Sequence, residues 1–271
     1  MSDVFDIKRF FRYLGRDIRL ARGNYLLGLL ICACMPVIAY LFHVLGSLLF
    51  TGSVDSFPMA VKYVCIAVST FVVIVTFPSK QYGRLTDKRY GSDYLMLPAS
   101  TLEKFLSCLV ISCLVVPFVL YLVMFGLDSF MSLLAPGYGD AMLPGIVDFF
   151  GRVSEGIGDV VSVNVGLMCG LNWCESILCF VLGAVVFKKS KVAKTILALI
   201  GIAMLFSSAS VGLFRYLDFS GIEFGSLDEF VDWLDRKDFN TVVNSFIFVQ
   251  FLIKFAVLDI CIFLRLKTLK H

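Results

Sequence analysis

The stretch Gln81–Ser107, QYGRLTDKRYGSDYLMLPASTLEKFLS, is the longest strongly charged interruption between two apolar runs in the first half of the chain. Arg84, Lys88, Arg89 and Lys104 alternate in it with Asp87, Asp93 and Glu103, around a short apolar island, Tyr94-Leu95-Met96-Leu97, closed by Pro98. A proline disfavours helix at the residue before it, so helical pieces on its two sides are separate. Ser100 stands three residues before Glu103, the spacing of a reciprocal cap in which the hydroxyl takes one free N–H and the carboxylate another. The stretch therefore predicts a short amphipathic helix, a break, and a capped helix that runs into an apolar span. The plainer alternative is a solvated loop between two helices.

Outward from this stretch the chain is apolar. Of 271 residues 59% are hydrophobic and 17% charged, and the mean hydropathy is +0.88. A water-soluble domain of this length carries far more polar surface. Several runs reach the ~20 residues that cross a bilayer core. The reading is an all-α polytopic membrane protein with six spans, at about 25–50, 60–77, 102–126, 160–187, 195–214 and 241–264. Pro36 predicts a kink in the first span and Pro117 a bend in the third. Residues 3–22 precede the first span. Val4, Ile7, Phe10, Phe11, Leu14 and Ile18 recur there at helical steps, with Lys8, Arg12, Arg16 and Arg19 on the other side. Such a basic amphipathic helix lies in the membrane interface. It has no short apolar core with a small-residue cleavage site, so no cleavable signal is expected. Residues 128–159 read as an acidic loop outside the bilayer, with Ile146–Phe150 dipping into the interface. Residues 218–238 read as a second outside loop, helical through the Ser226/Glu229 cap signal.

Charge orients the spans. The N-terminal arm holds Lys8, Arg9, Arg12, Arg16, Arg19 and Arg22; the 81–101 side holds Lys80, Arg84, Lys88, Arg89 and Lys104. The turn after span 4 holds Lys188, Lys189, Lys191 and Lys194, and the tail Arg265, Lys267 and Lys270. These eighteen face five on the other side, Lys62, Arg152, Arg215, Arg236 and Lys237. The bias places both termini and residues 81–101 in the cytoplasm of a cell whose plasma (inner) membrane holds the chain.

Enzyme motifs are missing. Residues 183–190, GAVVFKKS, have Lys188 where a phosphate loop needs its second glycine. Gly137-Tyr138-Gly139-Asp140 spells an intramembrane aspartyl-protease motif but lies between Pro136 and Pro144 in the outside loop. His43 is alone in span 1 and reads as a packed residue. The nine cysteines sit in apolar runs, without metal-ligand spacing, and read as small hydrophobes. The expectation is a chain with no catalytic residue, no cofactor, no metal and no nucleic-acid partner.

Polar residues inside the spans are the exception. Asn164, Asn172 and Glu175 fall in span 4, and Lys254 and Asp259 in span 6. A charge at the bilayer centre costs on the order of 2.5–3.5 kcal/mol on insertion scales and faces a partner or a cavity. At 1.5 Å per residue Glu175 stands ~20 Å from the turn at 188 and Lys254 ~17 Å from Arg265, matching depths for an ion pair. The pair is either a packing element or part of a proton or substrate path, as in an ion-coupled transporter. A scaffold or sensor is the remaining alternative.

One run carries a resemblance. Arg89-Tyr90-Gly91-Ser92-Asp93-Tyr94-Leu95-Met96-Leu97-Pro98-Ala99-Ser100, followed by Glu103-Lys104, resembles the cytoplasmic stretch after the second span of type-2 ABC exporter permeases. It is similar in particular to a group of permease-like membrane proteins of Bacteroidetes type. Gly183 through Lys189, Lys194-Thr195 and Arg265-Leu266-Lys267 are similar to the same group. The sequence departs from many exporters at Lys88-Arg89-Tyr90, where those carry acidic residues before the glycine. The resemblance implies an interface helix, six spans, and a coupling helix that docks on a separate ATPase subunit. Arg89, Gly91, Asp93, Leu95, Met96, Leu97, Pro98, Ser100, Glu103 and Lys104 would form the docking surface, with Arg89, Asp93 and Glu103 as its rim charges. It also implies pairing with a second copy or a sister permease.

Overall fold

The computed structural model describes residues 5–50, 52, 56–86, 99–148, 165–204 and 239–268. Within them every regular element is helical and no strand occurs. In chain order the helices are α1 (Ile7–Ala33), α2 (Met35–Phe50), α3 (Met59–Gln81), α4 (Thr101–Leu134), α5 (142–148), α6 (Val165–Val186), α7 (191–204) and α8 (Phe239–Thr268). Short 3-10 turns at Gly83–Thr86 and Pro136–Tyr138 follow α3 and α4. The core lies where α1, α3, α4, α6 and α8 meet, around Phe77, Leu120, Ile177, Val181 and Ile262.

The helices keep their polar side chains within the apolar core and turn apolar faces outward. Along α3 the buried positions Lys62, Cys65, Ser69, Val73 and Phe77 recur at three- and four-residue steps, while Val64, Val68 and Phe71 point outward. Along α4 the buried side holds Glu103, Ser107, Ser112 and Asp128 among apolar groups, and the outward side shows Leu114, Phe118, Leu122 and Phe130. A helix on the surface of a water-soluble protein has the opposite arrangement. An exterior of this kind is stable in hydrocarbon, where polar groups must find partners inside. Met59–Leu85, Thr101–Leu134 and Met168–Val186 are long and apolar enough to cross a membrane, and α1 with α2 makes a fourth if the two form one broken span.

Three features differ from the sequence reading, each with a local cause. First, the basic arm and the beginning of the first span are one helix. α1 has 27 residues, ~40 Å at 1.5 Å per residue, which exceeds the ~30 Å hydrocarbon core. The break comes at Cys34, where α1 and α2 meet at 43°. Pro36 has no N–H for the Cys32 carbonyl, and the buried Ser69 hydroxyl donates to that oxygen instead at 2.8 Å. Second, where the sequence predicts a bend at Pro117, a π-helical segment, Ile111–Val115, lies just before the proline within the continuous helix α4. The Trp173 indole N–H reaches the Ser112 carbonyl there at 3.4 Å. Third, α4 continues past Gly126 to Leu134, so Asp128 is helical and buried rather than in an outside loop.

That third difference builds one end of the bundle. Asp128 accepts a hydrogen bond from Tyr138 Oη at 2.8 Å and from the Met142 N–H at 2.6 Å. Lys62 Nζ lies 3.5 Å from Asp128 Oδ1, donates to the Asp140 carbonyl at 2.7 Å, and sits 3.7 Å from the Tyr138 ring centroid. Neither charged side chain has any exposed surface. Gly139, at φ 75°, supplies the left-handed turn that brings the Asp140 carbonyl round to Lys62. The Gly137–Asp140 motif is thus part of a closure, packed against Tyr40 and Phe57; the His43 ring lies 5.4 Å from Phe57. Among the described residues the Ser226/Glu229 signal has no counterpart, because 205–238 lie outside them.

Lys62→Met strands a buried carboxylate and should cost about 3–5 kcal/mol. Adding Asp128→Asn should recover part of the loss, since a neutral amide needs no counter-charge. Unfolding midpoints in detergent micelles would check this; equal midpoints for wild type and Lys62→Met would refute it.

Candidate functional site

At the opposite end the predicted cap forms. The Ser100 hydroxyl accepts from the Glu103 N–H at 3.3 Å, and Glu103 Oε2 accepts from the Ser100 N–H at 2.9 Å. The same carboxylate takes the Arg9 guanidinium through Nη2 at 2.7 Å and Nε at 2.8 Å, and the Asp6 N–H at 3.0 Å. Glu103 is fully buried and Lys104 nearly so. The docking surface implied by the resemblance includes Lys104 and has Glu103 as a rim charge; in the chain by itself both side chains are covered. Glu103 instead fastens the start of α1 to the start of α4. Arg89, Gly91, Asp93, Leu95, Met96, Leu97 and Pro98 lie outside the described residues.

A second link joins the same elements one turn deeper. Asp17 accepts from Ser107 Oγ at 3.0 Å and from Gln81 Nε2 at 3.3 Å. Gln81 in turn accepts from Asn24 Nδ2 at 3.4 Å, and Arg84 Nη1 donates to Asn24 Oδ1 at 3.1 Å. Burial pushes the Asp17 carboxyl above its ordinary range, against the hydrogen bonds from Ser107 and Gln81 that hold it down. The sequence reading missed this residue. Its signal was the spacing: Arg9, Tyr13 and Asp17 recur every fourth residue, and this stripe meets α4. Of the apolar residues at helical spacing in this arm, Ile7, Phe11 and Ile18 face outward, while Leu14 packs against the core.

The flanks of the 87–98 stretch are therefore anchored to α1 and its N-cap from both sides, through Gln81 and Arg84 before it and Glu103 and Ser107 after it. Lys191 of α7 joins them, its ammonium donating to the Gly83 carbonyl. Every one of these contacts pairs segments from the lysine- and arginine-rich side of the charge count, while the Lys62–Asp128 closure joins segments from the other side.

Between the two ends, α6 and α8 meet through Glu175 and Lys254. Glu175 Oε1 and Lys254 Nζ are 3.1 Å apart, with the lysine side chain 46% exposed and the glutamate 22%. Lys254 also lies 5.6 Å from the Phe251 ring centroid. Asp259 is not part of this pair; among the described residues its buried Oδ1 has no hydrogen-bond partner. Asn172 is exposed and Asn164 lies outside the described residues. Close packing continues at the lysine-rich turn, where a Cβ on Gly183 would collide with the Thr195 side chain. The nine cysteines are unpaired, and among the described residues no group of three acidic, histidine or cysteine side chains is placed to hold a metal.

If the α6–α8 contact is energetic, Glu175→Gln and Lys254→Gln should each destabilise the protein. The double change should cost less than their sum by about 1 kcal/mol. Strict additivity in a denaturation series would remove the pair from consideration. No family model matches the chain, and comparison with curated proteins and with solved structures returned no match.

Proposed function

We propose that the chain is the membrane-spanning subunit of an ABC-type exporter, energised by a separate ATPase that docks on residues 84–104. The proposal includes six spans, both termini in the cytoplasm, and pairing with a second copy or a sister permease in a bacterial plasma membrane. Its main support is the double anchoring of the 87–98 flanks to α1, through Arg9–Glu103 and through Asp17 with Gln81 and Ser107. A force applied to the stretch would reach α1, α3 and α4 together, because all three meet in these two clusters. The charge segregation of the ends supports the orientation. A coupling element needs such a rigid mounting to move packed helices rather than flex alone.

The Glu175–Lys254 contact favours a second reading, an ion-coupled secondary transporter in which Asp259 also takes part. Its unpartnered oxygen within the bundle is the specific observation behind it. Loss of transport on neutralising all three residues, with no ATPase bound, would select this reading over the first.

Topology is checked with single cysteines at Asp140 and Lys189 in a background cleared of native thiols. Asp140 should label from outside intact cells and Lys189 should not. Labelling of Lys189 from outside would overturn the orientation and the docking reading together. Docking itself is checked with Leu95→Ser/Leu97→Ser, which should release an ATPase from affinity-purified membranes while the chain stays inserted. Retention of the ATPase by this variant would count against the docking surface. So would recovery of no ATPase from native membranes with the unaltered chain.

A further inference from the structure

The lysine- and arginine-rich end contains a cavity beside the contacts that anchor the 87–98 flanks. It measures about 360 Å³ and is lined by Asn24 of α1, Ser79 and Lys80 of the last turn of α3, Gly83 and Arg84 of the 3-10 turn, and Lys191 of α7. Three cations from three different elements converge on it, two neutral side chains add hydrogen-bonding capacity, and among the described residues lining it none is acidic.

The cations are held in place. Lys80 Nζ lies 5.6 Å from the centroid of the Tyr25 ring. Arg84 is tied to Asn24, and Lys191 crosses Gly83, donating to its carbonyl. A Cβ at Gly83 would come within 3.2 Å of Lys191 Cδ, so glycine leaves the room for that crossing. Depth is the second clue. The apolar run of α3 ends at Phe77-Pro78, and Ser79, Lys80 and Arg84 follow at once. In a bilayer this is the level of the head groups, where basic pockets between helices take anionic phosphates.

We infer that this cavity is a binding site for a phosphate-bearing anion, gripped by Lys80, Arg84 and Lys191 with Asn24 and Ser79 as neutral partners. Guanidinium and ammonium groups suit phosphate oxygens in direction and charge. The phosphate can come from a phospholipid head group or from a soluble phosphate compound. The site shares Arg84 with the proposed docking stretch but needs no ATPase, and anion retention is read without any measurement of transport.

The test uses the full chain purified in mild detergent. Native mass spectrometry follows retention of phosphatidylglycerol against phosphatidylcholine, with and without millimolar inorganic phosphate or pyrophosphate. Selective retention of phosphatidylglycerol that soluble phosphate does not displace assigns the lipid source. Binding of pyrophosphate that displaces the lipid assigns the soluble one. Lys80→Gln/Lys191→Gln should lower anion retention about tenfold or more, while Lys188→Gln/Lys189→Gln, with the same charge change on exposed lysines of the same turn, should not. Lys80→Arg/Lys191→Arg should restore binding and so separates a lost ligand from a lost fold. Equal loss in both glutamine variants, or no preference for either anion over phosphatidylcholine in the unaltered chain, would overturn the inference.

Discussion

Polar groups placed inside an apolar bundle have to satisfy one another, and most of this architecture follows from that requirement. Glu103, with no exposed surface, is tolerable because a guanidinium and two backbone N–H groups surround it. Lys62 and Asp128 are tolerable because each finds the other together with a ring, a hydroxyl or a backbone group. The same rule governs the backbone. The two irregular points, at Cys34 and at Ile111–Val115, each have a side chain from a neighbouring helix on a carbonyl there, Ser69 in one case and Trp173 in the other. Irregularities in these helices are thus built jointly by two elements, and a change in either partner should alter both.

The satisfied clusters divide the molecule into two fastened ends and a middle. One end is closed by Lys62, Asp128 and Tyr138; the other by Arg9 and Glu103 with Asp17, Gln81 and Ser107. Between them the interhelical polar contact of α6 with α8 is half exposed rather than sealed. If α8 spans the membrane as proposed, its exposed lysine meets lipid, another subunit or a path. A pairing partner on that face would give Lys254 a drier environment and strengthen its attraction to Glu175. The proposed subunit pairing and the ion-coupled reading therefore make different demands on the same surface.

Residue patterns alone determined the class of protein. Hydropathy, the length of the apolar runs and the segregation of lysine and arginine all express the same physics, transfer between water and hydrocarbon, which acts on each segment independently of its neighbours. The Ser100–Glu103 cap was legible for a similar reason, since its partners lie within one helical turn. The matched depths of Glu175 and Lys254 were legible because helical rise is constant, although depth alone could not say that α6 and α8 are neighbours.

What only the tertiary structure decided are the partners that lie far apart in sequence. Arg9 counted as one of six interchangeable basic residues until it was found on Glu103, 94 positions away. Asp17 had no standing among its cationic neighbours until Gln81 and Ser107 met it. Lys62 counted as an outside surface charge, and Asp128 as a loop acid, until the extension of α4 buried both. The convergence of Lys80, Arg84 and Lys191 depends on α7 folding back over the end of α3. Such contacts carry no local signature, because the side chain at each position is compatible with exposure. The packing of distant helices decides which of them loses water.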